Sequence, residues 1–162
     1  MGFRKDVTEA KPIKVSFSFY PADVSVLADR VSELKKAGVK VRGATVLRAL
    51  VHLTTPPEMI AHAVQLAGDY ALGEATGEDE MISGHPTVDF PKEDVKKLDD
   101  VVAHLARSRI VATRAFVVRA ILRAAPNGKT LAPAVGKFLE DFPNKPRGLS
   151  KIRLARIAKS HG

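Results

Sequence analysis

The sequence contains one segment twice, and this duplication limits the folds open to the chain more than any other feature. When Asp23 is laid on Asp94, a shift of 71 positions (94 − 23), the apolar positions of the two copies coincide without a gap. The matched residues are Phe17, Phe19, Leu27, Val31, Leu34, Val46 and Leu50 in the first copy and Val88, Phe90, Leu98, Val102, Leu105, Val117 and Ile121 in the second. Two copies are too few for a solenoid. The pattern therefore predicts a dimer-like fold built inside one chain.

The first copy has the pattern of a strand followed by two helices. Apolar and polar residues alternate over residues 13–19, which is the period of a half-buried strand. Pro21 ends this strand and opens a helix toward Lys36, and Gly38 can take the left-handed conformation that closes a helix. A second helix is expected from about Arg42. The predicted inward residues are Val24, Leu27, Val31 and Leu34 in the first helix and Val46, Leu47, Leu50 and Val51 in the second.

The second copy repeats this order over residues 87–122. A short strand is followed by a helix that Pro91 opens, a turn at residues 107–112, and a helix for which Thr113 is a good N-cap. Its predicted inward residues are Val95, Leu98, Val102, Leu105, Val117, Val118, Ile121 and Leu122. The same shift extends into a third helix in each copy, where Ile60, Ala61, Ala63 and Val64 align with Leu131, Ala132, Ala134 and Val135.

Five segments follow from these patterns. Residues 1–11 have no periodicity and are expected to be a flexible arm, and residues 12–72 form the first repeat with its extra helix. Residues 73–84 are rich in Gly, Glu and Asp and predict an exposed linker. The second repeat with its extra helix occupies residues 85–142, and residues 143–162 are a basic tail.

Charge indicates an anionic partner. The net charge is +8 and the pI is about 9.9, and residues 143–162 alone carry +6 with no acid, which leaves about +2 for the rest (8 − 6). A protein that is basic without an anionic partner remains the alternative. There is no cysteine, no apolar run near the roughly 20 residues that span a bilayer and no signal-peptide pattern. We therefore expect a cytoplasmic protein without membrane contact.

One copy alone would leave both strand edges unpaired, whereas two antiparallel strands can form a ribbon over four helices. The order of strand, helix, glycine turn and helix resembles the ribbon-helix-helix family of DNA-binding proteins over residues 13–51 and 86–122, about half the chain. The single-chain tandem form is similar to members that act in conjugative transfer and to the border-binding virulence protein of T-DNA transfer. The resemblance implies a mostly α fold with a short two-stranded antiparallel ribbon, an intramolecular pseudo-dimer with an extra helix after each repeat.

The resemblance also implies a partner, double-stranded DNA, and residues that read its bases. A two-stranded ribbon fits the major groove, where each base pair presents a distinct pattern of donors and acceptors. The outward strand residues would be Lys14, Ser16, Ser18, His85, Thr87 and Asp89. Antiparallel pairing would place Ser16 near Thr87, Ser18 near His85 and Lys14 near Asp89, and we expect Lys14 and Asp89 to form a cross-strand pair. Simple solvation of these side chains is the alternative. Asp89 makes the halves unequal, which predicts an imperfect palindrome or none.

Members of the family hold a DNA phosphate at the start of the second helix, where unpaired N–H groups and the helix dipole attract anions. The matching residues are Arg42, Gly43, Ala44, Thr113, Arg114 and Ala115. Ordinary helix starts with exposed arginines are the alternative, and Arg48 and Arg119 are expected at equivalent exposed positions. In the tail, Lys145, Arg147, Lys151, Arg153 and Arg156 are candidates for phosphate contacts or for a protein partner.

Catalysis is not expected, because the five histidines show no metal-ligand spacing and the chain has no nucleophile elbow or phosphate-binding loop. No metal or other cofactor is therefore expected. Two roles stay open for a non-catalytic DNA-binding monomer: a transcriptional repressor, or a relaxosome accessory factor that also binds a relaxase or another transfer protein. Cooperative binding of several molecules to DNA is also open. A different class, an antitoxin-like or adaptor protein whose main partner is a protein, is the alternative.

Overall fold

The computed structural model describes residues 11–72 and 82–143. These residues form two strands and six helices, which confirms the predicted class: mostly helical with a small two-stranded antiparallel sheet. The first copy contains β1 (Ile13–Ser16), α1 (Pro21–Lys36), α2 (Gly43–Leu53) and α3 (Pro56–Ala71). The second contains β2 (Thr87–Phe90), α4 (Lys92–Arg107), α5 (Arg114–Ala124) and α6 (Gly128–Asp141). Most of the predicted arm and linker and nearly all of the basic tail lie outside the described residues.

The two strands pair in the register that the duplication predicts, with Ser16 opposite Thr87 and Lys14 opposite Asp89. Hydrogen bonds continue beyond β1, because the N–H of Phe17 donates to the carbonyl of Pro86 at 2.9 Å. Pro86 has no N–H and cannot return this bond. The regular ladder therefore ends at Ser16 and not at residue 19 as predicted.

A last bridge joins Phe19 to Gly84, a residue that the sequence placed in the linker. The N–H of Phe19 donates to the Gly84 carbonyl at 2.9 Å, and the N–H of Ser83 donates back to Phe19 at 2.6 Å. Continuing the register across this bridge places Ser18 opposite His85, as expected. The paired region is thus longer than the two formal strands.

One face of the ribbon and the second helices supply the centre of the core. The side chains of Phe17 and Phe90 meet edge to face with ring centroids 6.0 Å apart. All eight inward residues predicted for α2 and α5 are buried: Val46, Leu47, Leu50, Val51, Val117, Val118, Ile121 and Leu122. Helical periodicity identified these positions correctly, but it understated the burial of α5, in which all six residues from Val117 to Leu122 are buried.

The third helices cross between the copies. Helix α3 packs against α4 and α5, and α6 packs against α1 and α2, while α2 and α5 contact each other. Each third helix therefore covers the first two helices of the other copy. Neither copy therefore encloses its own core, and each needs the other to bury its apolar residues. None of the helices in the described ranges combines the length and the apolar content that crossing a bilayer would need.

The predicted alignment of the third helices is wrong by one residue. Their N-caps are Thr55 and Asn127, a shift of 72 (127 − 55), and the buried residues match at that same shift: Met59, Ala63 and Leu66 with Leu131, Val135 and Phe138. Val64, predicted to be equivalent to buried Val135, is 47% exposed. The connection before α6 is one residue longer than the one before α3, and one residue turns a helix by about 100°.

The first helix of each copy is buried to a different extent. Val24, predicted to face inward, is 42% exposed, whereas Val95 at the equivalent position is 2% exposed. In α1 the buried residues are Asp23 and Leu34, and Asp23 occupies the inward position next to Val24. Helix α4 buries Val101 as well, which the sequence pattern missed, and its equivalent in α1 is Arg30. Helix α4 therefore buries apolar residues at two positions where α1 has exposed Val24 and half-buried Arg30.

Candidate nucleic-acid interface

The outer face of the ribbon carries short polar side chains. Lys14, Ser16, His85 and Thr87 are exposed, and Ser18 and Asp89 are half-buried. The hydroxyl groups of Ser16 and Thr87 lie 3.2 Å apart and share a hydrogen bond across the strands. This pair lies between the hydrogen-bonded rungs of the ladder, where opposing side chains come closest. Each hydroxyl can still accept or donate one further bond to an external partner.

Lys14 and Asp89 are opposite each other in the backbone, but the expected side-chain pair does not form. Among residues 11–72 and 82–143, no carboxylate lies within ion-pair distance of the Lys14 ammonium. The prediction was wrong because register fixes only the positions of the two Cα atoms, and attraction between exposed charges is too weak to hold a long flexible side chain. The Lys14 charge therefore projects from the ribbon without a carboxylate partner in the described residues.

A groove of about 550 Å³ joins β1 to the start of α5. It is lined by Lys14, Val15, Ser16, Ser18, Tyr20, Thr113, Arg114, Ala115, Phe116 and Arg119. The fold thus brings three predicted base-reading residues of the first copy next to the three predicted phosphate-binding residues of the second. The other predicted sites, at residues 42–44 and on β2, do not line this groove.

The start of α5 is organised by two polar contacts. Thr113 Oγ1 accepts a hydrogen bond from the Phe116 N–H at 3.1 Å, which confirms Thr113 as the N-cap. The Arg114 guanidinium donates to both oxygens of Asp99, at 2.6 and 2.9 Å. These bonds outweigh partial burial and lower the pKa of Asp99 while raising that of Arg114. Arg114, which the sequence predicted to bind a DNA phosphate, is therefore already bound to the Asp99 carboxylate.

The start of α2 is different. Arg42 is exposed at the N-cap position and has no side-chain oxygen with which to cap the helix. A Cβ atom at Gly43 would lie 3.0 Å from Leu27 Cδ2. Glycine at this position therefore lets α2 approach α1 closely, a packing reason that is independent of any ligand. Arg42, Gly43 and Ala44 do not line the groove at β1, although α2 contacts β2.

Arg119 was predicted to be exposed, and this prediction is wrong. It is 6% exposed, and its Nε donates to Asp23 at 2.7 Å. Arg123 Nε donates to the other oxygen of Asp23 at 2.8 Å, and Arg119 also donates to the Tyr70 hydroxyl. Burial opposes the charge of Arg119, but the bonds to Tyr70 and Asp23 outweigh it and raise the Arg119 pKa. A partner 96 positions away makes this burial possible, and helical spacing gives no sign of it.

The equivalent site in the other half has different chemistry. Asp94, equivalent to Asp23, accepts from His52 Nδ1 at 3.2 Å and has the Lys97 ammonium at 3.6 Å. His52 is equivalent to Arg123 (123 − 52 = 71). Arg48, equivalent to Arg119, is half-buried, so it is not the exposed residue expected, and it donates to Thr45 Oγ1 at 3.4 Å. The two halves therefore place a carboxylate at equivalent positions and surround it with different donor side chains.

The sequence analysis did not predict the contacts that Asp23 and Asp99 make with arginines. The duplication nevertheless contained a signal for one of these contacts. Differences between the copies come in spatial pairs: Asp99 and Arg114 of the second copy replace Ala28 and Gly43 of the first. Such paired replacements indicate contact. Comparison with known proteins adds nothing to this picture, since no protein-family model, curated protein or solved structure matches the chain.

Proposed function

We propose that this chain is a non-catalytic, sequence-specific DNA-binding protein, an intramolecular ribbon-helix-helix pseudo-dimer that reads the major groove with its ribbon. The observation that carries the proposal is the division of the ribbon into two faces. One face, with Val15, Phe17, Val88 and Phe90, is buried on the helices. The other presents the Ser16 and Thr87 hydroxyls, flanked by Lys14, to the outside.

The dimensions of the ribbon fit this use. Strands lie about 4.8 Å apart, and the major groove of B-DNA is about 12 Å wide, so a two-stranded ribbon with short side chains can enter it. Lys14 can donate to guanine O6 or N7, and the hydroxyls of Ser16 and Thr87 can bond to several base edges. A ribbon that carried large apolar residues outward would not fit as well.

The contacts between helices support the pseudo-dimer. The copies pair through β1 with β2 and through α2 with α5, and each third helix packs on the other copy. These are the contacts that two separate subunits of such a fold would make across a two-fold axis. The net charge of +8 and the helix starts flanking the ribbon supply attraction for phosphates.

Two biological roles are compatible with these contacts. The protein acts either as an accessory factor that binds near a transfer origin or border and recruits a relaxase, or as a repressor at an operator. Both roles require sequence-specific binding of the ribbon. Co-purification of a relaxase with the DNA-bound protein would select the first role.

A second candidate, an adaptor whose main partner is a protein, has one observation in its favour. Helix α3 leaves Val64 47% exposed and is followed by Leu72, which is 76% exposed. Apolar residues on the outer side of a third helix are what a partner-binding surface requires. If Val64→Ser binds DNA as tightly as the unmodified protein but no longer binds a protein partner, this surface has a role in addition to DNA binding.

Selection of bound duplexes from random DNA tests the proposal. We expect a non-palindromic or imperfectly palindromic consensus, with affinity falling roughly 10³-fold between about 50 and 200 mM salt. Lys14→Ala, Ser16→Ala and Thr87→Ala should each weaken binding and relax one position of the consensus, by ~1–3 kcal/mol per lost contact.

Lys137→Ala is the matched control for Lys14→Ala, because Lys137 is exposed on α6, away from the ribbon. It removes the same charge and should leave the consensus unchanged. Equal affinity and an identical consensus for all ribbon variants would show that the ribbon is not the reader. A perfect palindrome would contradict the inequality of the halves.

A further inference from the structure

The Asp99–Arg114 pair lies at the edge of the groove that contains six of the predicted DNA contacts. Arg114 lines the groove with Lys14, Ser16 and Ser18, and its guanidinium uses Nε and Nη2 to hold the Asp99 carboxylate. Asp99 reaches this position from the middle of α4. A carboxylate therefore lies next to the groove at a point where the proposed ligand carries negative charge.

Both members of the pair are accessible to a competing anion. The side chain of Arg114 is 39% exposed and that of Asp99 is 49% exposed. A phosphate and a carboxylate bind the guanidinium fork in the same way, through two parallel N–H···O bonds. Because both side chains are in contact with water, a DNA phosphate can compete with the carboxylate for the same guanidinium fork.

The first copy has no counterpart of this pair. Ala28 is equivalent to Asp99 (99 − 28 = 71), and Gly43 is equivalent to Arg114 (114 − 43 = 71). The start of α2 thus lacks the equivalents of both members of this pair.

We propose that Asp99 limits the affinity for DNA by occupying Arg114 in the unbound protein, so that a backbone phosphate must displace the carboxylate to bind. This inference rests on the proposed DNA-binding function and adds a residue that none of the predicted contacts included. It makes the phosphate contact at the α5 end of the ribbon weaker than Arg114 without a carboxylate partner would make it.

The test compares Asp99→Asn with Asp100→Asn on the duplex obtained by selection. Asp100 is the neighbouring exposed acid on α4, and it pairs with Lys96 at 3.3 Å, so its substitution removes the same charge without releasing Arg114. Asp99→Asn should bind DNA tighter than Asp100→Asn, by up to about fivefold at low salt.

Arg114→Ala separates competition from general charge. In the Arg114→Ala background, Asp99→Asn should have no effect on affinity beyond that of Asp100→Asn. Equal gains for Asp99→Asn and Asp100→Asn, or weaker binding by Asp99→Asn, would overturn the inference and leave the proposed function intact. Absence of any bound duplex for the unmodified protein would overturn both.

Discussion

Asp23 and Asp94 occupy equivalent positions in the first turns of α1 and α4, and both are buried, but the groups around them differ. Asp23 accepts bonds from two arginines of α5 and from the backbone N–H of Tyr20. Asp94 accepts from His52 of α2, and the residue equivalent to Tyr20 is Pro91, which has no N–H. In each half, the first helix of one copy is tied to the second helix of the other. The buried carboxylate therefore contacts two arginines in one half, and a histidine and a lysine in the other.

This difference shows how a duplicated chain can keep its backbone while its halves diverge chemically. Burial of a carboxylate requires a cation or several donors, but it does not specify which. Arg119 is 6% exposed and depends on Asp23, whereas the His52 side chain is 39% exposed and reaches water. The contacts of Asp23 and those of Asp94 should therefore contribute differently to the free energy of unfolding.

The largest expected effect on the free energy of unfolding is that of removing the Asp23 charge. Asp23→Asn keeps the shape but removes the charge that Arg119 requires, and breaking a buried ion pair of this kind costs about 3–5 kcal/mol. Asp94→Asn should cost only ~1 kcal/mol, because the half-exposed His52 can be solvated instead. Urea unfolding of both variants gives the two free energies. Equal losses, or a greater loss for Asp94→Asn, would contradict the comparison.

The second effect concerns the starts of the third helices. Gly128 is buried, and a Cβ there would lie 2.4 Å from Glu33 Cβ and 2.6 Å from the Leu34 nitrogen, whereas Pro56 at the equivalent position (128 − 56 = 72) is exposed. Gly128→Ala should force α6 away from α1 and destabilise the protein by ~1–3 kcal/mol. Urea unfolding again supplies the measurement.

Gly136→Ala is the control for this variant. A Cβ at Gly136 meets nothing within 4 Å, and Ala favours a helix interior over Gly by ~0.5–1 kcal/mol, so this variant should be neutral or more stable. If Gly128→Ala behaved like Gly136→Ala, the close approach of α6 to α1 would not exist in solution.

These results separate what the sequence could predict from what it could not. The inward residues of α2 and α5 and the pairing of Ser16 with Thr87 were predictable, because periodicity and a constant shift determine them locally. The third helices were misaligned because alanines occupy both faces, so that shifts of 71 and 72 match similar residues. Composition alone could not distinguish the shift of 71 from the shift of 72.

The contacts of Arg119 with Asp23 and of Arg114 with Asp99 were not predictable for another reason. Whether Arg119 is buried depends on a carboxylate 96 positions away, and whether Arg114 is available to a phosphate depends on Asp99, 15 positions away. Neither distance matches a helical or strand period. For the candidate site, the sequence therefore identified the outward residues of the ribbon but not the charges that modulate them.

A smaller effect is expected at the turns that end α1 and α4. Gly38 has a φ of 92°, and Arg109, its equivalent (109 − 38 = 71), has a φ of 64° without being glycine. A left-handed conformation costs a residue with a side chain roughly 1 kcal/mol. Gly38→Ala should therefore destabilise by ~1 kcal/mol, and Arg109→Gly should stabilise by ~0.5 kcal/mol. Thermal unfolding measures both, and destabilisation by Arg109→Gly would show that its side chain contributes more than its backbone costs.

The smallest effect is a pH dependence at the same two helix starts. Helix α3 is capped locally by Glu58, which accepts from the Thr55 N–H at 2.9 Å, whereas the Gly128 N–H of α6 donates to Glu33 of the other copy at 2.8 Å. The Gly128 bond, with a smaller contribution from Arg30, lowers the pKa of Glu33 against the opposing effect of burial. The bonds from Thr55 likewise lower that of Glu58.

A lowered pKa in the folded state means that the stabilisation is fully present above the ordinary value of 4.5 and is lost as the pH falls through the lowered value. Glu33→Gln and Glu58→Gln should each therefore reduce the fall in urea midpoint between neutral and acidic pH. Because Glu33 joins two copies and Glu58 caps only its own helix, Glu33→Gln should also lower the neutral midpoint more. Glu140→Gln, an exposed change of the same charge on α6, supplies the baseline. Identical pH profiles for Glu33→Gln and Glu140→Gln would mean that α6 is not held by the carboxylate of the other copy.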